Sequence, residues 1–156
     1  MTVRAFNMNH FLLSLSCAAI LSALSQPCAA QFAKPADAVK YRKGAFSVMA
    51  HHFGRLGAMV NEKVPFDAKL AASDAELVAA LAPLPFHAFP AGTGSPQTKP
   101  EIWSDGAAFK AAGDRMNTEV QKLAGAARSG ELAAIKAAFG ASAKTCKACH
   151  DQFKQD

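Results

Sequence analysis

The sequence predicts an all-α fold, an antiparallel four-helix bundle, on three observations. Apolar residues recur at heptad spacing in four segments, each bounded by helix breakers. No hairpin turn joins alternating apolar runs, and β-branched runs are scarce. The chain has 156 residues and 51% hydrophobic content, enough for one core and too little for two comfortable ones.

The first helix is expected from about Pro35 to Val60. Val39, Phe46, Phe53 and Val60 recur along it, and Arg42, Met49 and Leu56 fill the positions between them. This pattern describes a bundle seam with one arginine inside it. Asp67 is a good N-cap for the second helix, which carries Leu70, Leu77, Val78 and Leu81 before Pro83 and Pro85 stop it. Residues 83–101 hold Pro83, Pro85, Pro90, Pro96 and Pro100 with Gly92 and Gly94, and read as one long ordered surface loop. The third helix is expected from about Glu101 to Arg128, with Ile102, Phe109, Met116 and Leu123 at heptad spacing and Gly106 and Gly113 weakening it. Ser129-Gly130 then breaks the chain, and Ser129 is available to cap a fourth helix. There Leu132, Phe139, Cys146 and Phe153 form a line, with Ile135 and Cys149 beside it, so both thiols fall on the inward face.

Residues 1–30 have another character. Arg4 is their only charge, an apolar stretch runs from Phe11 to Leu24, and Pro27-Cys28-Ala29-Ala30 ends in the small residues that signal peptidase prefers. The expectation is a secretory signal peptide over 1–30 and one domain over 31–156. The apolar stretch is short for a membrane span, and Ser25-Gln26-Pro27 before Cys28 does not fit a lipoprotein signal. The formal net charge of +5 is scattered, with no basic run and no aromatic interleaving, which argues against a nucleic-acid partner.

Four cysteines are present; Cys17 and Cys28 leave with the leader, so Cys146 and Cys149 alone remain. An exported chain that keeps one thiol pair two residues apart must have a use for it. Cys146-Lys147-Ala148-Cys149-His150 is the haem-attachment pattern. On a helix, positions i, i+3 and i+4 share a face, so two thioethers can form with one porphyrin while the imidazole reaches its iron. A thioredoxin-type pair would open a helix after a strand, and a zinc site would need a second ligand pair; neither condition is met. The expected cofactor is one covalent haem c, on Cys146 and Cys149, with His150 as axial metal ligand, near the end of the C-terminal helix.

Only six residues follow the motif, so a sixth ligand must come from upstream. Met49 faces the seam and is the strongest contender, although seam methionines more often pack than ligate. Met116 is the weaker thioether. His51 and His52 read as solvated surface residues and His87 as a core-edge residue. No carboxylate pair, Ser/His/Asp set or phosphate-binding glycine loop follows the leader, so an enzyme is not indicated.

Several segments carry a specific resemblance. Gln31-Phe32-Ala33-Lys34-Pro35 through Tyr41-Arg42, His52-Phe53-Gly54-Arg55, Pro65-Phe66-Asp67, Pro100-Glu101-Ile102-Trp103-Ser104-Asp105, and Ala137-Ala138-Phe139-Gly140 followed by Cys146-Lys147-Ala148-Cys149-His150-Asp151 are similar to cytochrome c′ over essentially the whole chain after the leader. The resemblance implies a class II c-type cytochrome, a periplasmic homodimer with five-coordinate, largely high-spin haem. Such proteins bind nitric oxide and carbon monoxide, and electron transfer with a redox partner is attributed to them. By position, the resemblance puts Phe46 over the iron, where low-spin relatives can carry a ligating Met, and makes Met49, Phe86 and Phe89 its distal neighbours. It assigns haem contacts to Arg42, Lys43 and Gln97. Lys43 stands where the family pattern has Gln, and Lys154 where some relatives place an Arg beside the proximal pocket. An arginine on an apolar seam is costly to bury alone, which suits a propionate partner for Arg42. The alternative reading is a low-spin electron carrier with Met49 as sixth ligand.

Overall fold

The computed structural model describes residues 31–155; the predicted leader over residues 1–30 lies outside the described residues. Four long helices form the bundle: α1 (Pro35–Val60), α2 (Ala68–Leu81), α4 (Gly106–Ser129) and α5 (Leu132–Phe153), with a one-turn helix α3 (Glu101–Ser104) leading into α4. Each begins or ends where local chemistry dictates. Pro35 opens α1, where its missing N–H costs nothing. Asp67 Oδ1 accepts from the backbone N–H groups of Lys69 (2.9 Å) and Leu70 (3.0 Å) and so caps α2. Gly130, at φ +73, closes α4 in the left-handed conformation that a side chain disfavours.

Packing divides the interior in two. At one end Leu56, Met59, Val60, Leu123 and Ile135 form a dry core, and full burial of side chains such as Leu56 and Ile135 contributes about 2 kcal/mol each. The Phe53 and Phe139 rings stack there with centroids 4.3 Å apart. Toward the other end the core opens into a cavity walled by all the helices and the proline-rich segment. Among the described residues, no helix is long and apolar enough to cross a membrane.

Four expectations about the helices and the proline-rich segment are corrected. The predicted third helix is interrupted at Asp105, because its carboxylate accepts from Ala108 N (3.1 Å) and starts α4 afresh. Ser129 does not cap the last helix; its hydroxyl donates to Ala126 O (2.7 Å), and Gly130 moves the next start to Leu132. Leu70 and Leu77 point outward, at 38% and 41% exposure, and α2 instead buries Ala71, Ala75, Val78 and Ala79, small side chains that let it pack closely. The proline-rich segment is more than a surface loop. It contains a 3-10 turn over Leu84–Ala88, buries Pro85, Ala88 and Thr93, and bonds to the C-terminal segment through Lys99 N to Phe153 O (3.0 Å) and Gln155 N to Gln97 O (3.1 Å).

Buried Asp74 fastens α2 to α1. Its Oδ1 lies 2.7 Å from His52 Nδ1, and Arg55 donates to its two oxygens from Nε (2.9 Å) and Nη2 (2.5 Å). Burial alone would push this carboxyl up, but the bonds from Arg55 and His52 and their positive charge outweigh it, so it stays below its ordinary value. His52 is therefore a partner in a buried network and not a solvated surface residue.

Candidate functional site

The cavity has a volume of about 490 Å³, and its walls come from all the helices and the proline-rich segment. Helix α1 contributes Arg42, Lys43, Phe46 and Met49; the proline-rich segment contributes Phe86, Phe89 and Gln97; α5 contributes Cys146, Cys149, His150 and Lys154. Ile102 of α3, Phe109, Met116 and Val120 of α4 and Val78 of α2 add further apolar lining. The motif residues, the expected distal residues and the expected haem contacts thus meet around one space. His51, exposed, and His52 do not line it. Nor does His87, which is exposed on the 3-10 turn rather than at the core edge, because the turn directs Phe86 and Ala88 inward in its place.

The motif wall is a product of helix geometry. Cys146, Cys149 and His150 fall on one face of α5, and the two thiols are not joined to each other. Burial pushes both thiols up; for Cys149 the neighbouring Cys146 adds to this and Arg115 opposes it. Burial, with the positive charge of Lys154, holds the His150 imidazole below its ordinary value despite Asp151, which favours the neutral ring with a lone pair to offer.

Arg42 is 2% exposed and does not snorkel. Its Nη1 donates to Ala88 O (2.9 Å) and Thr93 Oγ1 (3.0 Å), and its Nη2 donates to Thr93 O (2.5 Å). The guanidinium lies 4.3 Å from the Phe89 ring centroid. Among the described residues every acceptor it meets is neutral, so burial lowers its pKa with nothing to counter the effect. A buried cation on the wall of an apolar cavity wants an anion.

These features fit a haem. Two thiols one turn apart are placed for thioethers, a neutral imidazole shares their face, the surroundings are aromatic and aliphatic, and Arg42 would complement a propionate. Sequence reasoning missed Thr93 and the Ala88 carbonyl as the holders of Arg42. The one available clue was that an arginine on an apolar seam must find acceptors somewhere.

Comparison with known proteins agrees with this geometry. A family model described as Cytochrome C′ matches residues 37–154. The chain is 49% identical over 128 residues to cytochrome c′ of Rubrivivax gelatinosus, covering 80% of this chain and 99% of that protein. It is 44% identical over 125 residues to cytochrome c′ of Alcaligenes xylosoxydans xylosoxydans, with 80% and 98% covered. The crystal structure of the Rubrivivax gelatinosus protein matches at a TM-score of 0.77, over 80% of this chain and all of that one (100%). A nitric oxide complex of a variant cytochrome c prime from Alcaligenes xylosoxidans also matches at 0.77, with 43% identity over 81% of this chain and 99% of that one.

Proposed function

The chain belongs to the cytochrome c′ family and carries haem c, and on that premise we propose that it is a periplasmic, five-coordinate, high-spin cytochrome that binds nitric oxide and carbon monoxide and exchanges electrons with a redox partner. Cys146 and Cys149 attach the haem, His150 ligates the iron, and Arg42 holds a propionate with Lys43 and Gln97 at the haem edge. When bound, the haem supplies an iron with one open coordination position and a one-electron couple. Binding and electron exchange, not substrate turnover, are the functions of this reading.

The observation that carries the reading is Phe46. This ring lines the same cavity as the motif and has no lone pair to donate. It meets Phe86 edge to face, with centroids 6.1 Å apart and planes at 81°. The ring blocks the distal side without ligating, so a small neutral diatomic enters only when it swings aside. Phe46, Met49 and Phe86 donate no hydrogen bond, so a ligand that gathers negative charge, such as dioxygen, gains little from them. The nitric oxide complex of the Alcaligenes xylosoxidans relative supports the same ligand class. Replacing Phe46 with Ala tests the reading: carbon monoxide association with the ferrous protein becomes faster, and an unchanged rate removes Phe46 from the gate.

A second reading has support in Met49, which is buried to 9% exposure and lines the cavity. As sixth ligand its thioether would give a low-spin electron carrier. A ferric spectrum with low-spin features that disappear in Met49→Leu would favour that reading over the first.

Export rests on the leader; a mature N-terminus at Gln31 in the periplasmic fraction is its check. A homodimer is supported by outward apolar residues seven apart on each of two packed helices, Tyr41 and Val48 on α1 and Leu70 and Leu77 on α2.

A further inference from the structure

Gly113 stands in the interior of α4, buried, where a glycine costs about 1 kcal/mol of helix stability relative to alanine. The space beside it explains its presence. A Cβ built on Gly113 would come within 2.8, 2.9 and 3.2 Å of three carbons of the Phe86 ring. The ring lies directly against the α4 backbone, in a notch that any other residue would fill.

Phe86 has little freedom to retreat. Phe109 contacts it with centroids 5.5 Å apart, and Phe46 meets it at 6.1 Å. The 3-10 turn that carries it is tied down two residues later, where Arg42 Nη1 donates to Ala88 O at 2.9 Å. The side left open is the cavity, which Phe86 lines together with Phe46 and Met49. A methyl group at position 113 therefore drives the ring toward Phe46 and into the distal space.

We propose that Gly113 is a positioning residue for gas binding: by leaving a notch in α4 it seats Phe86 against the α4 backbone and keeps the room into which the Phe46 ring swings when a ligand enters. The inference rests on the reading of Phe46 as the gate. Gly113 touches neither haem nor ligand and acts only through Phe86.

The experiment measures carbon monoxide association by rapid mixing with the ferrous holoprotein in five forms: the unaltered chain, Gly113→Ala, Phe86→Leu, the two combined, and Phe46→Ala. Gly113→Ala slows association roughly tenfold, because overpacking the seat stiffens the gate. In the Phe86→Leu background, where the ring is gone, the same change alters the rate by less than about twofold. If Gly113→Ala alone fails to accumulate as holoprotein, the combined variant accumulates, and that rescue carries the same information. An unchanged rate in Gly113→Ala, equal slowing in both backgrounds, or failure of rescue overturns the seat while a faster Phe46→Ala leaves the gate standing. An unchanged rate in Phe46→Ala overturns the gate and the seat with it.

Discussion

Replacing Asp74 with alanine removes the acceptor for three contacts, to His52 Nδ1 and to Arg55 Nε and Nη2. Bonds to charged groups contribute about 1.5–3 kcal/mol each, but their sum overstates the effect. Arg55 is 42% exposed and turns to water once released, whereas His52, at 18%, recovers less hydration. Breaking a buried ionic network costs about 3–5 kcal/mol, and the freedom of Arg55 places this one at the low end, about 3 kcal/mol. Thermal unfolding of the ferric holoprotein should show a midpoint lower by roughly 10 °C. The pH dependence gives an independent check. Because the folded Asp74 carboxyl lies below its ordinary value, its stabilising contribution is present above the unfolded carboxylate pKa of about 4 and is lost as pH falls through the lower folded value. The alanine variant should lack that acid-side loss. A midpoint within about 2 °C of the unaltered chain, together with an unchanged acid profile, would refute the network as a stabilising clasp between α1 and α2.

Arg42→Leu frees Ala88 O and Thr93 from their donors, so amide exchange at Thr93 and through residues 94–98 should rise roughly tenfold; unchanged protection would deny that Arg42 pins the segment. Val48→Asp with Leu77→Asp puts charges on the outward stripe of α1 and α2, and sedimentation should then report a monomer with an unaltered spectrum. A dimer that survives both charges places the interface elsewhere. Cys146→Ala with Cys149→Ala removes both attachment points, so denaturing mass spectrometry should give the polypeptide alone, whereas a retained covalent tetrapyrrole would contradict attachment through this pair.

Helix α1 was legible to the residue, since Pro35 marks its start and a seven-residue repeat of large side chains runs to Val60. The cavity-lining set was legible for a related reason: the motif spacing is helical geometry, and the resemblance extends along the whole seam. What escaped were interactions with no period. Asp74 lies 22 residues from His52 and 19 from Arg55, and Thr93 lies 51 from Arg42; contacts at such separations leave no trace in local patterning. Apolar spacing on either side of Asp105 places it inside one long helix, and hides a short carboxylate that prefers to cap. The apolar spacing of Leu70 and Leu77 marks α2 as a helix but not which way they face, because α2 packs through alanines and a buried carboxylate, which turns its largest side chains to the outside.

The absorption spectrum of the purified protein, ferric, ferrous, and ferrous under carbon monoxide, reads haem, spin state and the open coordination position together. A five-coordinate haem gives a Soret band, high-spin ferric and ferrous spectra, and a carbon monoxide adduct that forms without displacing a protein ligand. A colourless chain, or a low-spin ferric spectrum that collapses in Met49→Leu, would contradict it.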